Sequence, residues 1–260
     1  KVVVAHPYAA KDTERIAGYS EHMGCETLGA MGDLICFQVA DGKIVWQTKF
    51  SEIAKTGEEP AKPPFWGYAS HPMIDGPRLI VPVGGDGSAV MAFDKLTGKE
   101  LWRKVTSSDI AYAPLVFHGE GAGRQVIFWH ADGIEGLNPE TGEQFWHIKW
   151  PEEQQQPGAT TSIVTPQMVG DLFYISEYFA GSLLLRLKSD PPGAEELFRS
   201  VTDDPRHETS LNSLMTTPVI RDGLVYGLTG DGLMRCNRLE TGELVWEEKT
   251  AIGDKPQEFG

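Results

Sequence analysis

The stretch Phe93–Trp102, FDKLTGKELW, decides the fold, because close copies of it stand at 137–146 (LNPETGEQFW), 236–246 (CNRLETGELVW) and 37–46 (FQVADGKIVW). In each copy a Trp follows a Gly by four residues: Gly42 and Trp46, Gly98 and Trp102, Gly142 and Trp146, Gly242 and Trp246. The steps between the Trp residues are 56, 44 and 100. The last step is two repeats of about fifty residues, so a degenerate copy is expected between them. The run LLLRLKSDPPGAEELFRS at 183–200 supplies it, with Gly193 in the place of the glycine and Phe198 near the Trp position, one residue late.

Two further markers keep the same period. A proline opens a short apolar segment ahead of each glycine, at His71-Pro72-Met73-Ile74, Ala113-Pro114-Leu115-Val116, Thr165-Pro166-Gln167-Met168 and Thr217-Pro218-Val219-Ile220. Proline cannot donate to a β-ladder, so it belongs at a strand start or a sheet edge. Between proline and glycine lies a turn: Gly85-Asp86-Gly87, Ala131-Asp132-Gly133, Phe179-Ala180-Gly181 and Gly230-Asp231-Gly232, with Gly32-Asp33 in the first copy. Each of these turns separates two apolar runs, as a hairpin does.

Each unit therefore contains four short antiparallel strands: A after the proline, B up to the first turn, C up to the Thr-Gly turn, and D carrying the Trp. Four strands in about fifty residues is the period of a β-propeller blade, whereas helical repeats would show a 3.6-residue pattern. The predicted fold is all-β: a propeller with complete blades at 70–104, 112–150, 164–200 and 216–249 and a partial one within 1–50, forming one domain over 1–260. Gly98, Gly142 and Gly242 supply the positive-φ turn position, the Thr or Asp before the glycine caps the turn, and the Trp is expected to fill the seam between neighbouring blades.

Composition fits this reading and excludes several functions. Twenty-nine Gly and 17 Pro in 260 residues favour many turns over long helices. A net charge of −14, with no Lys/Arg-rich run, opposes binding to a phosphate backbone. No apolar run reaches the roughly 18 residues of a membrane-spanning helix. Cys25, Cys36 and Cys236 form no C-x-x-C or adjacent pair and are read as small core residues, with one distant disulfide left open.

The pattern A-F-D-x-x-T-G-x-x-x-W resembles the repeat of the PQQ-like (quinoprotein-type) β-propeller family, and the resemblance covers nearly the whole chain. Propellers of that family close with seven or eight blades. The expectation that follows is of an incomplete ring, with a five-bladed ring as the alternative. The family includes quinone-dependent alcohol and sugar dehydrogenases, sensor domains of membrane kinases and BamB-like scaffolds of the outer-membrane assembly machinery. Its dehydrogenases hold pyrroloquinoline quinone and Ca²⁺ over the propeller axis, many with an adjacent-Cys disulfide that this sequence lacks.

Other chemistry is equally hard to find. Asp33, Asp86, Asp132 and Asp231 recur once per blade, too far apart to ligate one Ca²⁺, and are read as turn residues. The seven His show no H-x-x-x-H or H-E-x-x-H pattern, and GGDGSAV at 84–90 precedes an apolar strand and reads as a hairpin. What remains is the D-to-A connections, long at 51–71 and around 150–162 and polar at 202–213. Trp66, Tyr68, His71, Tyr112 and Asn212 stand just ahead of A strands and are the candidate binding rim; the alternative is that Trp66 and Tyr68 cover the core.

The sequence-based expectation is thus a non-enzymatic, exported BamB-like scaffold without a cofactor or metal. It would hold a protein partner or small ligand on its loops, in the periplasm or outside the cell. The alternatives are a PQQ- and calcium-dependent dehydrogenase and the sensor domain of a larger membrane protein.

Overall fold

The computed structural model describes residues 2–6, 32–53, 61, 63–150, 162–200 and 209–249. They form five antiparallel sheets, each wound in chain order. Blade I has three strands, β1 (Val2–His6), β2 (Asp33–Phe37) and β3 (Ile44–Lys49). Blade II has β4 (Met73–Asp75), β5 (Arg78–Pro82), β6 (Val90–Asp94) and β7 (Glu100–Lys104). Blade III has β8 (Val116–His118), β9 (Gln125–His130), β10 (Gly133–Leu137) and β11 (Gln144–Ile148). Blade IV has β12 (Gln167–Val169), β13 (Leu172–Glu177), β14 (Gly181–Ser189) and β15 (Pro192–Arg199). Blade V has β16 (Val219–Arg221), β17 (Leu224–Leu228), β18 (Met234–Arg238) and β19 (Leu244–Glu248). Each proline-led segment is an A strand of three residues, and GGDGSAV is the hairpin joining β5 to β6.

The Thr-Gly turns work as their chemistry requires. Asp94 Oδ1 accepts the amides of Leu96 and Thr97 and the Thr97 hydroxyl, at 3.0, 2.9 and 2.8 Å. These bonds, first that of the Thr97 hydroxyl, hold the Asp94 carboxyl below the usual range. Asn138 Oδ1 accepts the amides of Glu140 and Thr141 in the next copy. Gly42, Gly98, Gly142 and Gly242 follow with φ of 71°, 72°, 71° and 69°.

Every sheet carries a bulge beside the recurring aromatic position. Pairing steps from Cys36–Trp46 to Phe37–Ile44, from Ala92–Trp102 to Phe93–Glu100, from Gly136–Trp146 to Leu137–Gln144 and from Cys236–Trp246 to Asn237–Leu244. In blade IV the step runs from Leu184–Phe198 to Leu185–Glu196, so Phe198 occupies the Trp position of that blade. A bulge adds twist and re-aims the side chain beside it. In blades I, II and IV the re-aimed ring crosses to the following blade.

Trp46 lies on Gly98, where an added Cβ would meet its ring at 2.6 Å, and its indole N–H donates to the Lys95 carbonyl at 3.3 Å. Trp102 lies on Gly142 in the same way and donates to the Pro139 carbonyl at 3.1 Å. Phe198 lies on Gly242. Around these contacts sit four apolar clusters, one per seam. Leu34 and Phe50 of blade I meet Leu79, Met91 and Phe93 of blade II. Ile80, Ala92 and Trp102 meet Val126, Phe128 and Leu137; Ile127 and Ile134 meet Phe173, Ile175 and Leu185; Tyr174 and Leu184 meet Val225 and Leu239.

One seam differs. Gly193 is not a turn glycine: it sits within β15 opposite Lys188, and the β14–β15 turn is made by Asp190 and Pro191 between Ser189 and Pro192. Two prolines take the place of the Thr-Gly pair, so no bare glycine backbone is offered to Trp146. That ring folds back onto Gly136 of its own blade, and its N–H donates to Gln125 Oε1 at 2.6 Å. The seam between blades III and IV is closed instead by Trp129 and Trp150, whose ring centroids are 5.7 Å apart. Gln125 also donates to the Lys188 carbonyl of blade IV at 2.9 Å. Cys36 and Cys236 are free and buried; Cys25 lies outside the described residues.

The seam can be tested by its asymmetry. Gly98→Ala adds both left-handed strain and a collision with Trp46, and should cost roughly 3 kcal/mol or more in urea denaturation. Gly42 has the same φ but nothing within 4 Å of an added Cβ. Gly42→Ala should therefore cost only the backbone term, about 1 kcal/mol.

Candidate functional site

The D-to-A connections and the B–C turns lie on one face, held together by the once-per-blade aspartates. Asp86 accepts the Thr106 hydroxyl at 2.7 Å. Asp132 accepts Ser107 and Ser108 side chains at 3.0 and 2.8 Å together with the Ser108 amide. Burial pushes the Asp132 carboxyl up, but the Ser108 and Ser107 bonds outweigh it and hold the group below its ordinary range. Asp231 accepts the Tyr178 hydroxyl at 2.7 Å, which ties blade IV to blade V. These carboxylates act as turn and seam staples. Asp109 points the other way: burial, with Asp132 nearby, raises its pKa.

On this face Trp66 and Tyr112 come together. The Tyr112 hydroxyl accepts the Trp66 amide at 3.0 Å, and the two rings are 5.5 Å apart. Phe65 meets Trp66 edge to face at 5.3 Å, and both Phe65 and Trp66 stand about half exposed over the buried Tyr112. Phe65 escaped the sequence reading, although a second aromatic beside Trp66 was the available signal. His71 is exposed, immediately before β4.

Two of the sequence candidates are placed differently. Tyr68 turns inward: its ring packs edge-on against Phe50 at 5.0 Å and its hydroxyl donates to the Val83 carbonyl at 2.8 Å. Burial raises its pKa, and Tyr68 covers the I–II seam. Asn212 is not a rim residue. It is 1% exposed, it accepts Arg235 Nη1 at 3.2 Å, and its amide reaches the Tyr178 carbonyl. The reason is electrostatic: Arg235 is buried beside β19, and its charge is met by Glu247 at 2.9 Å, the Ser210 carbonyl and Asn212.

The corresponding pair in blade III, one hundred residues earlier, is Glu135 with His147. His147 Nδ1 lies 2.8 Å from Glu135 Oε1, and buried His130 Nε2 is 3.6 Å from the same oxygen. Only the His147 contact is at hydrogen-bond distance; His130 makes its hydrogen bond through Nδ1 to Ser107 Oγ at 2.8 Å. Among the described residues no group of three or more His, Cys, Asp or Glu is placed to hold a metal ion. His22 and His207, and the connection residues 54–60, 62, 151–161 and 201–208, lie outside the described residues.

A buried acid, Glu177, stands at the end of β13. Glu177 accepts the Ala180 amide at 2.6 Å, and burial raises its pKa to about 7 against that bond and one from Phe179.

A family model described as "Outer membrane protein assembly factor BamB" matches residues 30–257. The chain belongs to this family. A relative of the same description from Yersinia pestis is 25% identical over 225 residues, covering 80% of this chain and 50% of its own length. BamB from Moraxella catarrhalis is similar in structure at a TM-score of 0.55 and 18% identity, over 84% of this chain and 55% of that one. A europium-containing methanol dehydrogenase follows at 0.52 and 14%, over 85% and 57%, which shows the propeller fold alone. The chain spans about half the length of the relatives it matches.

Glu177 gives this face a pH signature. Between the ordinary value of 4.5 and about 7 the folded protein holds a proton that the unfolded chain releases, so stability falls as pH rises through that window. Glu177→Gln should match the parent near pH 4 and exceed it by about 3 kcal/mol above pH 7, read from paired thermal melts.

Proposed function

We propose that the chain is a non-enzymatic propeller scaffold whose D-to-A face docks a protein partner in an outer-membrane assembly complex, in the periplasm. The observation that carries this reading is the Phe65–Trp66 pair, two large rings held in water by a backbone bond to Tyr112. Exposed aromatics on a fixed backbone lose little side-chain entropy on binding and are frequent anchors of protein interfaces. Family membership supports the same reading, since its members carry the description of an assembly factor. Among the described residues no helix is long and apolar enough to cross a membrane. Further blades of the same repeat complete the ring in this proposal, in keeping with the greater length of the relatives.

Asp86, Asp231, Glu135 and Glu247 are engaged in turns, seams and the His147 and Arg235 pairs, and among the described residues no group of three or more His, Cys, Asp or Glu is placed to hold a metal ion. A photo-crosslinking residue at position 66, in the organism that makes the protein, should capture a component of the outer-membrane assembly machinery. Trp66→Ala should weaken binding to that component at least about tenfold. Saturable heat on titration with pyrroloquinoline quinone and Ca²⁺, without such a crosslink, would replace this reading with the dehydrogenase one.

A further inference from the structure

On the Thr-Gly face a polar clasp ties the end of an A strand to the following blade. In blade III, His118 at the end of β8 meets Asp171 of blade IV at 2.9 Å, one ring for one carboxylate. The same place in blade II holds Asp75, at the end of β4, and there the count differs. Asp75 is buried and takes two arginines. Arg78 of its own blade donates to Oδ2 through Nε and Nη2, at 3.2 and 3.0 Å. Arg124 of blade III donates to Oδ1 through Nε and Nη2, both at 3.0 Å. One cation is enough to clasp the seam, and two are present.

Both guanidinium groups are held in place by the fold. Arg124 lies over the Phe117 ring at 4.7 Å from its centroid, and the Arg78 side chain is 18% exposed. Each turns its Nε edge to Asp75, which leaves Nη1 without an acceptor among the described residues. A guanidinium bound along one edge still offers N–H donors to a second carboxylate.

The two arginines border a cleft of about 200 Å³ between the turns of blades II and III. Gly121 and Ala122 form one wall without a bulky side chain, and a Cβ added to Gly121 would meet nothing within 4 Å. Asn138 stands on another wall; its Oδ1 accepts the amides of Glu140 and Thr141, which leaves its NH₂ group as a donor. Asp75 set against Arg78 and Arg124 leaves the site with one positive charge. The acid that balances it is Glu140, 70% exposed and reaching Arg78 through a single contact of 3.4 Å. An exposed pair at that distance contributes little and is readily displaced.

We infer that this cleft is a binding site for a monocarboxylate, which takes the place of Glu140 beside Arg78 and Arg124. The carboxylate accepts from guanidinium ends that are already ordered, so little side-chain entropy is lost on binding. Blades II and III both have packed neighbours on their far sides, so further blades in the ring leave the cleft open. The inference is independent of the assembly-complex reading and of the aromatic pair at 65–66.

The test is proton–nitrogen NMR of the arginine Nε–H groups in the 260-residue chain, titrated with N-acetylglycine and, at matched ionic strength, with sodium chloride. The Arg78 and Arg124 resonances should shift saturably with N-acetylglycine, at a Kd of about 1 mM or tighter, and not with chloride. Ala122→Leu fills the cleft and leaves every charge in place. It should weaken binding at least about tenfold with an unchanged circular dichroism spectrum, and so should Arg124→Gln. Glu140→Gln should strengthen binding at least about threefold, because the internal competitor is gone. A tetrapeptide with a free C-terminus that binds at least about tenfold more tightly than N-acetylglycine would assign the carboxylate to a chain terminus, and equal affinity to a free small acid. No saturable shift up to about 50 mM, equal shifts with chloride, or binding unchanged in both Ala122→Leu and Glu140→Gln would each overturn the inference.

Discussion

The structure depends on a flat aromatic ring resting where a Cβ would otherwise be. A glycine at positive φ does two things at once in the Thr-Gly turn: it makes the backbone conformation cheap, and it leaves a bare patch of main chain onto which the indole can settle. The ring adds a hydrogen bond to a carbonyl three residues upstream, so position and orientation are both fixed. The bulge beside each aromatic supplies the aim. Apolar clusters at the four seams bring most of the burial, but the knob on the glycine sets the register of one sheet against the next.

The repeat was legible in the sequence because the turn glycine and the tryptophan each serve one geometry, a positive φ and an indole resting on bare backbone, and so return with the period of the fold. Phe198 could be found as a displaced member of the series because the period left a gap to fill. Gly193 misled for the same reason: a glycine at nearly the right distance stood in for the real turn, whose Ser189, Asp190 and Pro191 follow different chemistry. Asn212 misled because a position ahead of an A strand says where the chain is, not where the side chain goes; buried Arg235 drew it inward. Glu177 gave no local signal, since what raises its pKa is burial assembled from distant segments. Phe65, by contrast, was visible beside Trp66 and was passed over.

The two faces of the arc divide their labour. The Thr-Gly face is closed by turns that satisfy their own amides. The opposite face carries the longer connections, stapled by Asp86, Asp132 and Asp231, and displays Phe65 and Trp66 above Tyr112. These carboxylates are distributed one to a turn, each with hydroxyl or amide partners. The result is a firm platform with a small apolar prominence.

Because a seam of this kind pairs the knob of one blade with the turn of the next, the blade is the natural unit of exchange. Removing a whole repeat brings a knob and a turn back into register, whereas a cut within a repeat leaves both of its neighbours with unmatched partners. Changes in length along this lineage would therefore proceed by complete repeats of about fifty residues, and the long connections between blades, which do not enter the knob-and-turn contact, are where smaller insertions can accumulate.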